Sequence, residues 1–400
     1  MTWWRVGTAG SSVGGERVTG RQEFVESSGS PASGSCRTLR GTWFLAAAAA
    51  LAVPLHAAAT DAHRHGGITV DDSALPVGPP GLAEPMLTSG GGMPADSKTK
   101  EDEGAFRLLC NYGKMSYDDP IVYPGQPGRA HLHTFFGNNS ITAATTPANI
   151  RAPGSKSGCR GGAVNLSGYW VPSMVDTATR KPIAPKYILV YYKTGTGPWM
   201  RDWHRARKPL VMQPMPEGLV MIAGDASNAN PAKAEAAFSC FTDAPGSGHR
   251  AMGPSIPACK PPEMVRMRID FPQCWDGKNL NSADHRSHMA KPVEWHADPD
   301  GQWDPSHPFK CPSTHPVLLP LLSEIIDWPV LPEQDTARWR LSSDTYDTAL
   351  PGGYSAHADW MNGWDEEIKT IWTRECMQKQ RDCGSFNVGD GRGAIEFQGN

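Results

Sequence analysis

The chain has 400 residues, a formal net charge of -3 and a hydrophobic content of 39%. This length is enough to bury a core in one large domain or two modest ones, and the near-neutral charge argues against a nucleic-acid-binding protein, because no excess of basic residues is present to neutralise phosphates. The 42 glycines, 36 prolines and 14 tryptophans favour a loop-rich β protein over a helical bundle.

The first 59 residues have the features of a secretory signal peptide. Arg37 and Arg40 precede an apolar run at residues 43–55, and small residues at 57–59 form a cleavage site. The apolar run is too short to cross a bilayer as a helix, so we expect no membrane span after cleavage. Because the residues before Arg37 are polar and rich in Gly and Ser, we interpret residues 1–59 as a spurious N-terminal extension plus the signal peptide.

Two segments follow the predicted leader. Residues 60–103 are rich in His, Gly, Pro and Asp without apolar periodicity, which predicts a disordered lead-in, and residues 104–400 are predicted to form a single disulfide-stapled β-rich domain. Of the nine cysteines, Cys36 lies in the leader, and the other eight would form up to four disulfides in an oxidising compartment. Cys376 and Cys383 are close enough to close a small loop. The expected location is therefore secreted or extracellular, or else periplasmic.

Short strands separated by long loops with proline and glycine make up the predicted domain. Apolar runs and period-2 alternation predict strands at residues 106–110, 130–136, 169–175, 187–192, 219–223, 237–241, 265–271, 317–328 and 339–341. Pro172 predicts an edge strand or a bulge, and Pro316 and Pro320 favour an extended edge strand for the ambiguous last long run. One helix is predicted at residues 363–378, with Asn362 as its N-cap. The predicted fold is mainly β, an antiparallel β-sandwich or open barrel with one C-terminal helix.

Two histidines share one face of the predicted strand at residues 130–136. Because side chains alternate between the two faces of a strand, His131 and His133 point to the same side. Two imidazoles at this spacing converge on one proton, metal ion or other ligand, and a structural role with one ring in solvent is the alternative. Both are candidate catalytic residues and candidate metal ligands.

Two other segments place histidine beside aspartate. Asp284, His285 and His288 lie close together in a polar stretch, and His357 and Asp359 lie two residues apart. A neighbouring carboxylate fixes the tautomer of an imidazole and raises its basicity, which suits a general base or a metal ligand. All five are candidate catalytic residues, and His288 is the third candidate metal ligand. A hydrogen-bonded network that merely holds the loops is the alternative.

The remaining candidate site residues are single histidines and tryptophans. The structural alternative is stronger for His315 and His357, because each is a single histidine near a proline or glycine turn. Trp170, Trp275 and Trp360 are candidate substrate-binding residues, because an indole ring stacks on the face of a sugar. Core packing or loop anchoring is the alternative for each tryptophan.

Several long, irregular motifs are spread through the predicted domain, each occurring once, and they are DPIVYPGQPGRAHLHTFFGN (residues 119–138), WVPSM (170–174), FPQCWDGKNLNSADHRSHMA (271–290), CPSTHPVLLP (311–320) and GYSAHADWMNGW (353–364). On these motifs the chain resembles a secreted family catalogued as a domain of unknown function, some members of which are fused to cysteine-rich WSC sugar-binding modules. The resemblance implies a secreted protein that acts on carbohydrate or cell walls. It implies no catalytic residue.

Two mechanisms would use the candidate residues. In the first, neutral imidazoles with Asp284 or Asp359 bind a divalent metal ion such as zinc, which activates water or acidifies a substrate proton. In the second, a histidine and a carboxylate act as base and acid on a polysaccharide without a metal. The sequence predicts a polysaccharide-active hydrolase or lyase whose partner is an extracellular carbohydrate. The alternative is a non-catalytic carbohydrate-binding or cell-wall structural protein.

Overall fold

The computed structural model describes residues 68–89, 92–93, 104–195, 211–244, 251–292, 311–384 and 387–394. The predicted leader at residues 1–59, including Cys36, lies outside these ranges, as do residues 60–67, 90–91 and 94–103 of the predicted lead-in. Within the described ranges, no helix is both long enough and apolar enough to cross a bilayer.

The described residues form many short strands and little helix. The strands, numbered in chain order, are β1 (Leu87–Thr88), β2 (Ala105–Cys110), β3 (Tyr112–Ser116), β4 (His133–Gly137), β5 (Gly168–Pro172), β6 (Met174–Asp176), β7 (Lys181–Pro182), β8 (Tyr187–Lys193), β9 (Val220–Gly224), β10 (Ala237–Phe241), β11 (Met264–Asp270), β12 (Cys274–Trp275), β13 (Met289–Ala290), β14 (Val317–Leu318), β15 (Leu321–Pro329), β16 (Trp339–Leu341), β17 (His357–Met361) and β18 (Gly393–Ala394). The helical segments are α1 (Glu366–Trp372), 3₁₀ turns at Asp72–Ala74, Pro231–Lys233 and Thr336–Arg338, and a π-helical turn at Thr373–Gln378.

Two five-stranded antiparallel sheets form the body of the domain. The A sheet has the strand order β10-β11-β15-β8-β2, and the B sheet has the order β3-β4-β5-β17-β9. Ile326 of the A sheet and Val171 and Trp360 of the B sheet belong to one buried cluster, which is the main core. Across this core, the hydroxyl groups of Tyr169 on β5 and Tyr192 on β8 are hydrogen-bonded at 2.8 Å. The fold is the predicted antiparallel β-sandwich, and the described strands do not close into a barrel.

Buried apolar and half-buried charged side chains alternate along β11, because one face of the A sheet packs on the main core. Val265, Met267 and Ile269 are buried in the main core, whereas Arg266 and Arg268 are half-buried on the opposite face. A strand with one face in the core and one facing outward needs this period-2 pattern. The prediction of a half-exposed strand at residues 265–271 is therefore confirmed.

The predictions of an edge strand are confirmed only for a short segment: β14, between Pro316 and Pro320, lies at the edge of the three-stranded sheet β13-β12-β14, whereas the longer strands β15 and β5 are central. Strand β15 is extended, as expected, but it is the third of five strands in the A sheet, because Pro320 precedes it and no proline interrupts its interior. Strand β5 is the third of five in the B sheet, where Pro172 is its last residue. After Ser173 the chain continues as β6, which pairs with β16 instead of the B sheet. Proline thus ends these strands without placing them at an edge.

The C-terminal helix is confirmed, but its start is not where the sequence placed it. The N-cap is Asp365, whose carboxylate accepts a hydrogen bond from the backbone N–H of Ile368 at 3.1 Å. The predicted cap, Asn362, instead accepts the N–H of Trp364 in the preceding turn. An aspartate and an asparagine three residues apart are both good caps, so composition did not distinguish them.

Disulfides join all eight cysteines of the predicted domain, in the pairs Cys110–Cys159, Cys240–Cys259, Cys274–Cys311 and Cys376–Cys383. The expected small C-terminal loop is therefore present. The first pair ties β2 of the A sheet to the long loop before β5 of the B sheet, so it crosses from one layer of the sandwich to the other.

Part of the predicted lead-in is ordered. Ile68 and Val70 are buried in a small cluster with Leu132 and Val175, and β1 pairs with β18 near the other end of the domain. Residues 68–89 therefore differ from the expected disordered segment, because their few apolar side chains fill a gap beside the B sheet. Low apolar content alone does not exclude docking when a neighbouring surface supplies the partner.

Candidate functional site

The outer face of the B sheet, opposite the main core, carries its own hydrophobic cluster. Phe135, Trp170 and Met361 project from β4, β5 and β17 and pack with Ile121 and Ile141 of the covering loops. Side chains two residues apart on a strand lie on the same face. The outer face therefore also receives His133 of β4 and both His357 and Asp359 of β17.

The two strand histidines stand opposite each other across β5. His133 pairs with Pro172. Asp359 pairs with Trp170, and this register places His357 beside Pro172 from the other side. The imidazoles are therefore in one cross-strand row, separated by a proline.

A glycine completes this row beyond His357. His357 pairs with Gly224 at the end of β9. A Cβ atom at Gly224 would lie 2.3 Å from the carbonyl oxygen of Ala356, and the residue has a φ of +79°. Only glycine fits this close approach, so the tight packing of the β9 backbone against the residue before His357 depends on Gly224.

Both imidazoles are neutral and present a bare Nε2 atom. The Nδ1 atom of His133 lies 3.0 Å from the carbonyl oxygen of Asp118, and that of His357 lies 2.9 Å from the carbonyl oxygen of Ser355. A carbonyl only accepts, so each Nδ1 carries the ring proton. Burial lowers the pKa of His133 to about 3 and the pKa of His357 to about 4. The two Nε2 atoms face each other at 3.4 Å with no proton to share.

A third imidazole adjoins this pair. The ring centre of His131 lies 4.2 Å from that of His133 and 5.0 Å from that of His357. One nitrogen from each of the three rings lies within 4.8 Å of the other two. His133 and His357 are buried, whereas His131 is partly exposed, although its Nε2 atom is buried.

Two buried carboxylates lie beside the same histidines. The Oδ2 atom of Asp359 is 3.8 Å from Nε2 of His357 and has no hydrogen-bond partner among the described residues. Asp119 accepts the backbone N–H groups of Ile121 and Val122 through Oδ1. Burial raises the pKa of both carboxyl groups, and their mutual repulsion raises that of Asp359 further. Asp119, Asp359 and His133 also place one atom each within 4.8 Å of one another.

The spacing of the histidine pair suits a tetrahedral metal ion. Two nitrogens bound to zinc at about 2.0–2.1 Å and at the tetrahedral angle lie about 3.3–3.4 Å apart. His133 Nε2 and His357 Nε2 lie 3.4 Å apart. Another group of potential ligands, Cys240, Cys259 and Glu263, cannot serve in the same way, because its two sulfurs form a disulfide.

Comparison with protein-family models gives one match, to the family described as "Domain of unknown function (DUF1996)", over residues 119–364. The chain belongs to this family. No curated protein and no solved structure matches it. The matched region begins at Asp119 of the site and ends five residues after Asp359, so all of the clustered histidines and carboxylates lie inside the DUF1996 domain.

The polar stretch with Asp284, His285 and His288 forms a separate turn of the DUF1996 domain. His288 bonds through Nδ1 to the hydroxyl of Ser282 at 2.9 Å and through Nε2 to the carbonyl oxygen of Val220 at 2.8 Å. Both nitrogens are therefore engaged in holding the turn. Among the described residues, His288 is not part of a group of side chains that could hold a metal ion together, whereas His131, His133 and His357 form such a group.

Asp284 and His285 also have local partners. Asp284 Oδ1 accepts hydrogen bonds from the backbone N–H groups of Arg286 and Ser287, and these bonds hold the pKa of this carboxyl well below its usual range. His285 bonds through Nδ1 to the side chain of Asn281 at 3.0 Å. Asp284 and His285 thus hold the turn, and neither belongs to the group formed by His131, His133 and His357.

The remaining single histidine supports this turn. His315 contacts the hydroxyl of Thr314 through Nδ1 and the carbonyl oxygen of Ser287 through Nε2. Its expected structural role therefore has a physical basis. His357, for which the structural alternative was also the stronger, belongs to the histidine cluster.

The three candidate tryptophans are not arranged as an open sugar-stacking platform. Trp170 and Trp360 are completely buried, on the outer face and in the main core respectively. Trp275 is half-buried, and its indole N–H donates to the carbonyl oxygen of Asn279 at 2.6 Å. Packing explains the first two, and loop anchoring explains the third.

Sequence reasoning missed two charged residues beside the site, namely Asp119 and Asp225. Asp119 opens the same motif that contains His131 and His133, so its position in that motif was the available signal. Asp225 follows Gly224 of β9, which pairs with His357. Nothing in the sequence pattern distinguishes Asp225 from an ordinary surface charge.

Proposed function

We propose that this DUF1996 protein is a metal-dependent enzyme, a hydrolase or lyase that acts on an extracellular carbohydrate. His133, His357 and His131 would hold a divalent ion such as zinc. The observation that carries the proposal is the pair of bare Nε2 atoms of His133 and His357, buried and 3.4 Å apart. Two acceptors in this arrangement repel each other in a low-dielectric site, and a cation between them turns the repulsion into two bonds.

The surroundings of the pair favour a catalytic ion over a purely structural one. Catalytic zinc sites use three protein ligands and keep one position open, whereas structural sites are closed by four. Three imidazoles are present, and His131 is the one of the three that is partly exposed, which leaves the cluster a route to a substrate. The backbone carbonyls at Asp118 and Ser355 orient the other two rings, as outer partners do in metal sites.

The carboxylates supply the remaining chemistry. A divalent ion at this place would acidify a bound water or a substrate proton. Asp359, 3.8 Å from His357, is placed to take that proton, and Asp119 lies against it on the buried side. Both carboxylates are almost completely buried, which disfavours a metal-free glycosidase, because its two carboxylates must flank the scissile bond of a bound sugar.

Carbohydrate as the substrate class is supported by the expected export of the chain and by its family resemblance. Four disulfides are consistent with an oxidising compartment. The competing function, a binding protein that presents tryptophans to a glycan, has less support, because Trp170 and Trp360 are buried.

The test combines metal analysis with an activity screen. The secreted protein is freed of metal with a chelator, titrated with zinc, and assayed on a panel of polysaccharides for new reducing ends and for unsaturated products, which separate hydrolysis from elimination. We expect one ion per chain, activity that is lost on chelation and recovered with metal, and loss of both in His133→Asn. His288→Asn is the matched control and should still bind the ion. Equal zinc binding by His133→Asn and the wild type would contradict the assignment.

A further inference from the structure

One buried turn is hydrogen-bonded to both of the segments that carry the facing histidines. Ser342, Ser343 and Asp344 follow β16 directly, and we call them the serine–aspartate turn. Each of the three residues is at most 3% exposed, although each has a polar side chain. Burying a hydroxyl or a carboxylate costs free energy unless its hydrogen bonds are made, so the partners of these side chains show what the turn holds in place.

The first contact of the turn reaches the segment before β4. The hydroxyl of Ser342 donates to the carbonyl oxygen of Leu132 at 2.5 Å, and its backbone N–H donates to the carbonyl oxygen of Ser173 at 2.9 Å. The N–H of Ser173 donates to the same Leu132 carbonyl at 2.9 Å. This carbonyl belongs to the peptide group that joins Leu132 to His133, and His131 precedes it. The turn therefore fixes the backbone between the two histidines of this segment.

The second contact of the turn reaches the segment before β17. Asp344 accepts the hydroxyl of Ser355 through Oδ1 at 2.6 Å, and its Oδ2 atom accepts the N–H groups of Leu341 and Gly353, each at 2.9 Å. The carbonyl oxygen of Ser355 accepts the Nδ1–H group of His357 at 2.9 Å. Asp344 therefore holds the residue that orients the His357 ring.

The direction of the hydroxyl bonds at Ser355 is also fixed. A carboxylate only accepts, so Ser355 donates its hydroxyl proton to Asp344. The hydroxyl of Ser343 lies 2.8 Å from that of Ser355 and must be the donor of that bond. The Ser355 hydroxyl thus donates one bond and accepts one, and a shift of its backbone would leave buried polar groups without partners.

The serine–aspartate turn adds a connection between the two histidine segments that the B sheet does not supply. Strands β4 and β17 are not neighbours, because β5 lies between them. The turn spans the same interval with three residues, from the bond to Leu132 at one end to the bond to Ser355 at the other. Zinc binds imidazole nitrogens at about 2.0–2.1 Å, so a small change in the separation of the two Nε2 atoms weakens the bonds to the ion.

We infer that Ser342 and Asp344 are positioning residues that hold His133 and His357 at the spacing a metal ion requires. The inference rests on the proposed function and deepens it, because it assigns to the turn the role that outer partners have in metal sites, where they orient the ligands. Ser342 acts through the backbone at Leu132, and Asp344 acts through Ser355. Neither contributes an atom to the ion.

The test removes one hydroxyl at a time from the full chain. Ser342→Ala deletes the side-chain bond to Leu132. Ser355→Ala deletes the bond to Asp344 and keeps the backbone carbonyl that holds His357. Each variant loses a single oxygen atom and no proposed metal ligand, so either one tests the inference on its own.

Ser157→Ala is the matched control. Ser157 is also buried and donates its hydroxyl to a backbone carbonyl, that of Asn165 at 2.6 Å, outside both histidine segments. Zinc affinity is measured by competition with a chromophoric chelator, and the geometry of the ligands by the visible absorption of the cobalt-substituted protein. Thermal melts in chelator show that each variant is folded, and all three should lose a similar amount of melting temperature.

Ser342→Ala and Ser355→Ala should each weaken zinc binding about 10- to 100-fold and change the cobalt spectrum, because outer partners of metal ligands have effects of this size. Ser157→Ala should keep the zinc affinity and the cobalt spectrum of the wild type. If Ser342→Ala and Ser355→Ala match Ser157→Ala in both measurements, the turn is only a structural anchor and the inference is overturned. Failure of the wild type to bind either ion would instead refute the metal centre on which the inference rests.

Discussion

Replacing either facing histidine with asparagine should change the response to zinc far more than the metal-free stability. An asparagine side chain retains an N–H near the position of Nδ1, so it can still donate to the carbonyl oxygen of Asp118 in His133→Asn or of Ser355 in His357→Asn. It removes the Nε2 atom. The two variants therefore delete the proposed ligand atom while preserving the bond that orients the side chain.

The magnitudes follow from the burial and spacing of the pair. In the metal-free protein, removing one of two opposed acceptors relieves a penalty of about 1–3 kcal/mol, and the smaller side chain leaves a cavity that costs about as much. The metal-free melting temperature should therefore remain close to that of the wild type. Zinc at a hundredfold excess over its Kd adds about 2.7 kcal/mol to the wild type, which corresponds to about 4 °C in a domain of this size. Binding weakened a hundredfold leaves about 0.4 kcal/mol.

The assay is a thermal melt of each protein in chelator and in a zinc series. His288→Asn is the control, since His288 is also buried but uses both nitrogens on Ser282 and Val220. It should lose about 1–3 kcal/mol in both conditions and keep the full zinc shift, because it leaves a buried acceptor unpaired far from the ion. A zinc shift in His133→Asn equal to that of the wild type would refute the reasoning.

Two further changes probe the carboxylate and the scaffold. Asp359→Asn should keep the zinc-dependent rise in melting temperature but lower turnover about 10²- to 10⁴-fold, because it removes the proposed proton acceptor, and loss of zinc binding would show Asp359 to be a ligand instead. Replacing the Cys274–Cys311 pair, which are 37 residues apart, should lower the free energy of unfolding by about 4 kcal/mol, against about 2 kcal/mol for Cys376–Cys383 with a separation of 7. Denaturant melts measure this difference, and equal losses for the two pairs would contradict the loop-length argument.

Strand periodicity was sufficient to find part of the site. The H-x-H and H-x-D patterns each put two polar side chains on one strand face, and the structure brings His133, His357 and Asp359 together on one side of the B sheet. What the patterns could not supply was the strand order. Nothing in the two motifs says that β4 and β17 both adjoin β5, a pairing that spans more than 200 residues of sequence.

The polar turn with Asp284 and His288 shows that the sequence can also predict a functional role for residues whose side chains hold a loop. Asp284 and His288 have the residue types of a catalytic pair, but their polar atoms are used on neighbouring backbone groups and on Val220 of another strand. Sequence cannot reveal which carbonyl will lie opposite an imidazole nitrogen, so a supporting histidine and a ligand histidine look alike.

Pro172 gives the histidine row a further property. Strands two places apart in a sheet have backbones about 9.6 Å apart, so the rings of His133 and His357 must lean toward each other to bring their Nε2 atoms within 3.4 Å. The residue between them is Pro172, whose side chain is closed into a ring on its own backbone nitrogen and therefore projects only a short distance from the sheet. A longer or branched residue there would prop the rings apart, so that the proposed site would accept only a larger ion. If the proposal is correct, selectivity for ionic radius depends on a residue that is not itself a ligand.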